Sequence, residues 1–206
     1  VFFDPGQALK LMEQEGVTAA WPWFPAILQP LLDHPNFDPG KLDRLRSVLL
    51  IGPQTLVARV TGLFPQTESM QAWGMTETAG IFALSDHDDT AAHRATSQGK
   101  AAPGIELRIV DVETGEDLEP GTTGEILVRG YCVMSGYYRD PAKTAEALDA
   151  NGWLHTGDLY ERSADGRLTF KGRAKDMLKV GGENVAAIEI EAFLCSHPAV
   201  KIAEVV

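Results

Sequence analysis

Cysteine is scarce. Cys132 and Cys195 are the only two in 206 residues. They are far apart and form no CxxC pair, which argues against a disulfide framework or a thiolate metal cluster. Two buried free thiols in a reducing compartment are the simpler expectation. No apolar run is long enough to span a bilayer. The opening Val1-Phe2-Phe3-Asp4-Pro5 has neither the basic region nor the sustained apolar stretch of a signal peptide. A cytoplasmic setting is therefore expected. Positive charge is also in short supply, with 18 Lys and Arg against 29 Asp and Glu, a net charge of -11. Such a chain is a poor bulk partner for nucleic acid or an anionic membrane. A local basic pocket for a nucleotide phosphate remains open to it. There is no internal repeat and no low-complexity tract. His34, His87, His93 and His197 stand alone, without metal-ligand spacing, and read as surface residues.

What is present looks globular. The chain is 44% apolar and 23% charged, enough to build one or two cored domains. Gln7–Glu15 carries apolar residues at helical spacing and stops at Gly16. Val17–Trp21 reads as a strand, and Phe24–Asp33 as a helix interrupted by Pro30. Ser47–Ile51 is an apolar run ending at Gly52-Pro53, the pattern of a buried strand, with a helix expected over Thr55–Leu63. This alternation points to a parallel sheet. After about Gly80 the pattern becomes mainly β. Strands are expected at Ile105–Val112 and from Gly124 to Arg129, with a short helix at Thr144–Leu148. Ala164-Asp165-Gly166 signals a hairpin between 159–162 and 167–170. From Lys175 the pattern changes again: a strand-like Met177–Val180, two glycines, a helix, and a strand from Val200. The expected organisation is α/β. Residues 1–80 would be part of an α/β subdomain, 81–174 a small β-barrel subdomain, and 175–206 the start of a small α+β domain. Both chain ends read as cuts through a longer protein.

Four clusters carry possible chemistry. In Trp73-Gly74-Met75-Thr76-Glu77-Thr78 an aromatic beside glycine offers a stacking face for a base. The threonines offer hydroxyl donors for phosphate, and Glu77 offers a hard oxygen for Mg²⁺. A helix start capped by Thr76 explains the same residues. In His155-Thr156-Gly157-Asp158 one carboxylate could accept both hydroxyls of a ribose, or could be an exposed turn acid. In Lys171-Gly172-Arg173-Ala174-Lys175-Asp176 the guanidinium suits phosphate or ribose oxygens, or a solvated charge run. If Asp165-Gly166 is a two-residue turn, Asp158 faces Arg173 across the hairpin. A three-residue loop would turn one of them to the other face. A plain cross-strand ion pair fits this geometry equally well. In Lys179-Val180-Gly181-Gly182-Glu183-Asn184 the glycines leave open space beside the backbone, or make an ordinary turn. Trp21-Pro22-Trp23-Phe24 could line an apolar pocket or belong to the core.

The order and wording of these motifs resemble the adenylate-forming acyl-CoA synthetases. The set is Trp73-Gly74-Met75-Thr76-Glu77, Gly124-Glu125-Ile126, Thr156-Gly157-Asp158, Gly172-Arg173-Ala174-Lys175-Asp176, Gly181-Gly182-Glu183-Asn184-Val185 and Glu189-Ile190-Glu191. The resemblance covers nearly the whole chain. It implies the C-terminal part of a large AMP-binding domain followed by the start of a mobile one. It implies that Gly52, Pro53, Trp73, Gly74, Met75, Thr76, Asp158, Phe170 and Arg173 bind ATP, with Trp73 where the family usually has Tyr. It implies Glu77 for Mg²⁺, Lys175 as a hinge, and Gly181, Gly182 and Glu183 along a coenzyme A channel. Trp23-Phe24 and the segment after Gly74 would border an acyl pocket.

The implied substrates are a carboxylic acid, ATP and coenzyme A. A medium or long fatty acid is the first expectation and an aryl acid the second. The departures are Gly52-Pro53 in place of a more usual Gly-Gly-Ala, Ala187 where proline is common, and no phosphate loop or C-terminal catalytic lysine within the chain. These 206 residues alone are therefore expected to lack ligase activity. The alternatives are a peptide-synthetase adenylation domain, which His155, Lys175-Asp176 and Glu183-Asn184 disfavour, and a non-catalytic nucleotide-binding relative.

Overall fold

Asp4 sets the start of the first helix by accepting a hydrogen bond from the Gln7 backbone N–H at 2.8 Å, and Pro5 supplies a ready-made φ. The computed structural model describes residues 2–180, 183–195, 197, 199–200, 203 and 205. It divides into two compact units, Val1–Gly74 with Ile81–Lys100, and Met75–Gly80 with Ala101–Val206.

The first unit contains α1 (Pro5–Glu15), β1 (Ala19–Trp23), α2 (Pro25–Leu32), β2 (Ser47–Leu50), α3 (Gln54–Leu63), α4 (Ala91–Thr96), and all but the terminal residues Met75, Gly80 and Ala101 of β3 (Glu68–Met75), β4 (Gly80–Leu84) and β5 (Lys100–Ala101). Gly16 closes α1 in the left-handed conformation expected of a helix-ending glycine. The strands lie in the order β1-β2-β3-β4-β5, and β1, β2 and β3 pair in parallel. The expected alternation of strand and helix is thus found. Leu28, Leu31 and Leu32 of α2 and Val57 and Val60 of α3 form one core with Val48 and Leu50 of β2.

Pro30 does not interrupt α2. Its three leucines are buried, and packing outweighs the one missing N–H in so short a helix. Trp21 and Pro22 line an apolar cavity of about 240 Å³ with Leu9, Met12, Leu28 and Phe64. Phe24 is exposed.

The second unit contains β6 (Ile105–Val110), β7 (Thr123–Gly130), α5 (Pro141–Ala147), β8 (Leu154–Arg162), β9 (Leu168–Arg173), β10 (Met177–Val180), β11 (Glu183–Ala186) and α6 (Ala187–Cys195). Strands β6 to β9 form an antiparallel meander in sequence order. A closed barrel would require a partner on both sides of every strand. Among the described residues β6 and β9 are edges, so the region is an open sheet.

β11 was not expected. It pairs with β10 as a tight antiparallel ribbon where a turn leading directly into a helix was read. The strand expected from Val200 falls largely outside the described residues. Cys132 is buried, and burial raises its thiol pKa. Cys195 is exposed, contrary to expectation: it lies in the last turn of α6. Among the described residues no helix is long and apolar enough to cross a membrane.

Gly124 lets β7 approach β6. A β-carbon there would run into the Val110 carbonyl oxygen, which is backbone and cannot turn aside. Gly124→Ala should lower stability by about 2–3 kcal/mol, read from the urea midpoint at unchanged slope.

Candidate nucleotide site

The β8–β9 hairpin brings two of the motif residues together by an indirect route. The Ser163 N–H donates to the Arg167 carbonyl, and the Arg167 N–H donates to Ser163 Oγ, both at 2.9 Å. Gly166 takes φ +86°, and its N–H donates to the Ser163 carbonyl. The loop therefore holds three residues, 164–166, not two. Alone, this would turn Arg173 away from Asp158. The register then breaks. Tyr160 faces Phe170, but Leu159 faces Gly172 and Asp158 faces Arg173. Lys171 is the extra residue of a β-bulge, anchored by Glu161 at 2.9 Å, and Gly172 takes φ +130° beside it. The bulge reverses the effect of the odd loop. Arg173 Nε ends 2.9 Å from Asp158 Oδ1.

A second irregularity, between β7 and β8, holds Asp158. Glu125 faces Leu159 and Leu127 faces His155, so Thr156-Gly157-Asp158 sits opposite the single residue Ile126. Thr156 Oγ1 donates to the Ile126 carbonyl at 2.8 Å and accepts the Asp158 N–H at 3.1 Å. Gly157 takes φ +69°, and its N–H donates to Glu125 Oε1 at 2.8 Å. His155 Nδ1 lies 3.2 Å from Glu125 Oε2. Glu125 thus holds the turn at its middle and at the residue just before it. The sequence placed it in a motif without assigning it this role. Its partners lie 30 and 32 residues away.

Asp158 is only 2% exposed, whereas the Arg173 side chain is 47% exposed. Tyr160 is buried beneath them. Burial, and secondarily the charge of Asp158, push its phenol pKa well above the usual value. Phe170 meets the Tyr160 ring edge-on, with centroids 5.4 Å apart.

Glu77 lies in a 3-10 turn, Thr76–Thr78, between β3 and β4. The turn is closed by Thr78, not by Thr76. Thr78 Oγ1 accepts the Met75 N–H at 3.1 Å and lies 2.7 Å from the Gly80 carbonyl. That commits the buried Thr78 hydroxyl to backbone and leaves Thr76 exposed and Glu77 half-buried. The Glu77 carbonyl accepts the Met134 N–H, and its Oε1 accepts the Tyr137 hydroxyl, each at 2.8 Å. That hydrogen bond to a carboxylate raises the Tyr137 pKa.

No group of three His, Cys, Asp or Glu is placed to cage a metal among the described residues. One hard carboxylate oxygen matches the way Mg²⁺ is held at phosphate sites, by one or two carboxylates together with phosphate oxygens and water. Glu77 fits that requirement.

The other motif residues are more dispersed. Gly52 ends the turn into α3, where a β-carbon would sit 3.2 Å from Leu56 Cδ2, and Pro53 is exposed at the helix start. Trp73 and Gly74 are half-buried near the end of β3. These four belong to the first unit. Met75, Thr76, Glu77, Asp158, Phe170, Arg173 and Lys175 belong to the second. Lys175 is exposed in the 3-10 turn Ala174–Asp176. Gly181 and Gly182 lie outside the described residues, and Glu183 opens β11.

Glu125→Ala should cost about 2 kcal/mol by leaving the Gly157 N–H without an acceptor, whereas Glu125→Gln, which keeps one, should cost about 1 kcal/mol or less. Urea unfolding of the two variants side by side measures the difference.

A family model described as AMP-binding enzyme matches residues 1–138. The mitochondrial medium-chain acyl-CoA ligase ACSF2 of Bos taurus is 35% identical over 185 residues, covering 88% of this chain and 30% of that protein. Acyl-CoA ligase SID4 of Ajellomyces capsulatus is 35% identical over 211 residues, covering 99% of this chain and 36% of that protein. The ATP-bound structure of MatB from Rhodopseudomonas palustris matches with a TM-score of 0.85 at 30% identity, over 99% of this chain and 40% of that one. The chain thus spans between 30% and 40% of the length of these relatives. With the motif order and the site geometry, these matches establish that the chain belongs to the AMP-binding enzyme family.

Proposed function

We propose that the protein carrying this chain is an AMP-forming acid–CoA ligase that activates a medium- or long-chain fatty acid. The observation that carries this reading is Asp158. A carboxylate only 2% exposed is held by a backbone irregularity beside a guanidinium that is half in solvent. Burying an acid costs free energy unless the fold or a ligand uses it. A carboxylate accepts two donors side by side, which is what a ribose diol offers. Arg173 lies over it. An entering ribose would take that place while the guanidinium turns to ribose or phosphate oxygens.

The other assignments follow the family motifs. Trp73 stacks on adenine beside Gly52-Pro53, and Thr76 donates to phosphate. Lys175 is the hinge for a mobile domain beginning at residue 175, and the Gly181-Gly182-Glu183 segment lines the coenzyme A channel. Mg²⁺ held by Glu77 and the phosphates would supply charge compensation.

In the proposed reaction the acid carboxylate attacks the α-phosphorus of ATP, and the bond to pyrophosphate breaks, giving acyl-AMP. The coenzyme A thiolate then attacks the acyl carbon and AMP leaves with the bonding pair. Rotation at the hinge separates the two steps. The names of ACSF2 and SID4 support the CoA-ligase branch, and that of ACSF2 supports a medium-chain acid. The free cysteines suit a reducing, cytoplasmic setting.

Acid-dependent pyrophosphate–ATP exchange by the full-length protein tests this across fatty, aryl and amino acids. Exchange with a fatty acid is expected. Exchange with amino acids alone would move the protein to the peptide-synthetase branch. None at all, from a folded protein that binds ATP, would favour a non-catalytic relative. Asp158→Ala should weaken ATP binding on the order of 100-fold, the equivalent of two lost charge-assisted hydrogen bonds, measured by calorimetric titration.

A further inference from the structure

We propose that Tyr137 is a positioning residue for Glu77: its phenol pins one carboxylate oxygen so that the other is presented to a divalent cation on the nucleotide phosphates. The inference rests on the reading of Glu77 as the metal ligand.

The segment around Tyr137 grips Glu77 twice. The Met134 N–H takes its carbonyl and the Tyr137 hydroxyl takes Oε1, both at 2.8 Å, across 60 residues of sequence in the side-chain case. Oε2 accepts no hydrogen bond among the described residues. The phenol is itself held in place. The Tyr137 N–H donates to Thr144 Oγ1 at 2.9 Å, and Thr144 Oγ1 donates to the Asp140 carbonyl at 2.8 Å. Lys143 Nζ stands 4.9 Å from the ring centroid. Gly136, at φ +141°, lets the chain pass so close to Thr144 that a β-carbon would sit 2.7 Å from Thr144 Cγ2.

The chemistry of the donor matters. An Arg or Lys in contact with Glu77 would offset the charge that a cation needs. A neutral hydroxyl orients the carboxylate and leaves its charge in place. Fixing a three-torsion side chain before binding also removes ordering cost from the binding step.

The test uses the full-length protein, Mn²⁺ as the probe, and saturating α,β-methylene-ATP, with bound Mn²⁺ counted by electron paramagnetic resonance. Tyr137→Phe is expected to weaken Mn²⁺ binding about tenfold, with metal-free nucleotide affinity unchanged and Tm lowered only by the few degrees that one lost hydrogen bond costs. Glu77→Gln is expected to weaken it on the order of 100-fold. Thr144→Val, which releases the Tyr137 backbone but keeps the phenol, should weaken it several-fold and serves if Tyr137→Phe folds poorly. Wild-type or tighter Mn²⁺ binding by Tyr137→Phe, while Glu77→Gln is weak, would overturn the role of Tyr137 and leave Glu77 as ligand. Unchanged binding by Glu77→Gln would overturn both.

Discussion

Glu125 holds three residues of β8 where the facing strand has one. That mismatch shapes the candidate site. A regular β7–β8 ladder would place Asp158 in an ordinary strand position with its backbone committed to the sheet. Instead Thr156 and Gly157 turn their polar groups inward, to the Ile126 carbonyl and the Glu125 carboxylate. Asp158 is carried to a buried position above Tyr160. Such an irregularity persists only when each displaced backbone group finds a partner. Glu125 and Thr156 supply those partners, which gives a physical reason for Gly124-Glu125-Ile126 and Thr156-Gly157-Asp158 to occur in one chain.

The β8–β9 hairpin applies the same device in the opposite sense. Its three-residue loop would separate Asp158 from Arg173, and the bulge at Lys171 reunites them. Two departures from regularity cancel, and the cancellation depends on Gly166 and Gly172, both at positive φ. Around Glu77 order comes from a buried hydroxyl. Thr78 spends its side chain on the turn, which leaves Thr76 exposed and Glu77 half-buried against Tyr137. At the β7–β8 irregularity and at the Glu77 turn alike, a threonine side chain is given up to backbone while the neighbouring acid keeps its side chain for other partners.

Much of the fold was legible in local pattern. The spacing in α1 and its stop at Gly16, the apolar run of β2 leading into α3, and the hairpin around Gly166 all appear near their expected places. Periodicity and turn chemistry act over a few residues, so a single sequence shows them. Pro30 was misread because propensity was weighed without the three buried leucines that hold α2 together. The ribbon partner β11 was missed because four residues beside two glycines carry too little pattern to separate a strand from a turn. Cys195 was assigned to the interior on residue type alone.

By itself the sequence determined the alternation of helix and strand, the acidic balance, and the set of motif residues that marks the family. All of these depend on residue identity and short spacing. Only the tertiary structure decided which of those residues meet. The pairing of Asp158 with Arg173 was anticipated, but through a turn of the wrong length, and the bulge that restores it is visible only once the strands are in register. Glu125 and Tyr137 could not be singled out, because each reaches its partner across 30 to 60 residues. Contacts of that span are set by sheet register and loop path, to which no local pattern in the chain gives a value.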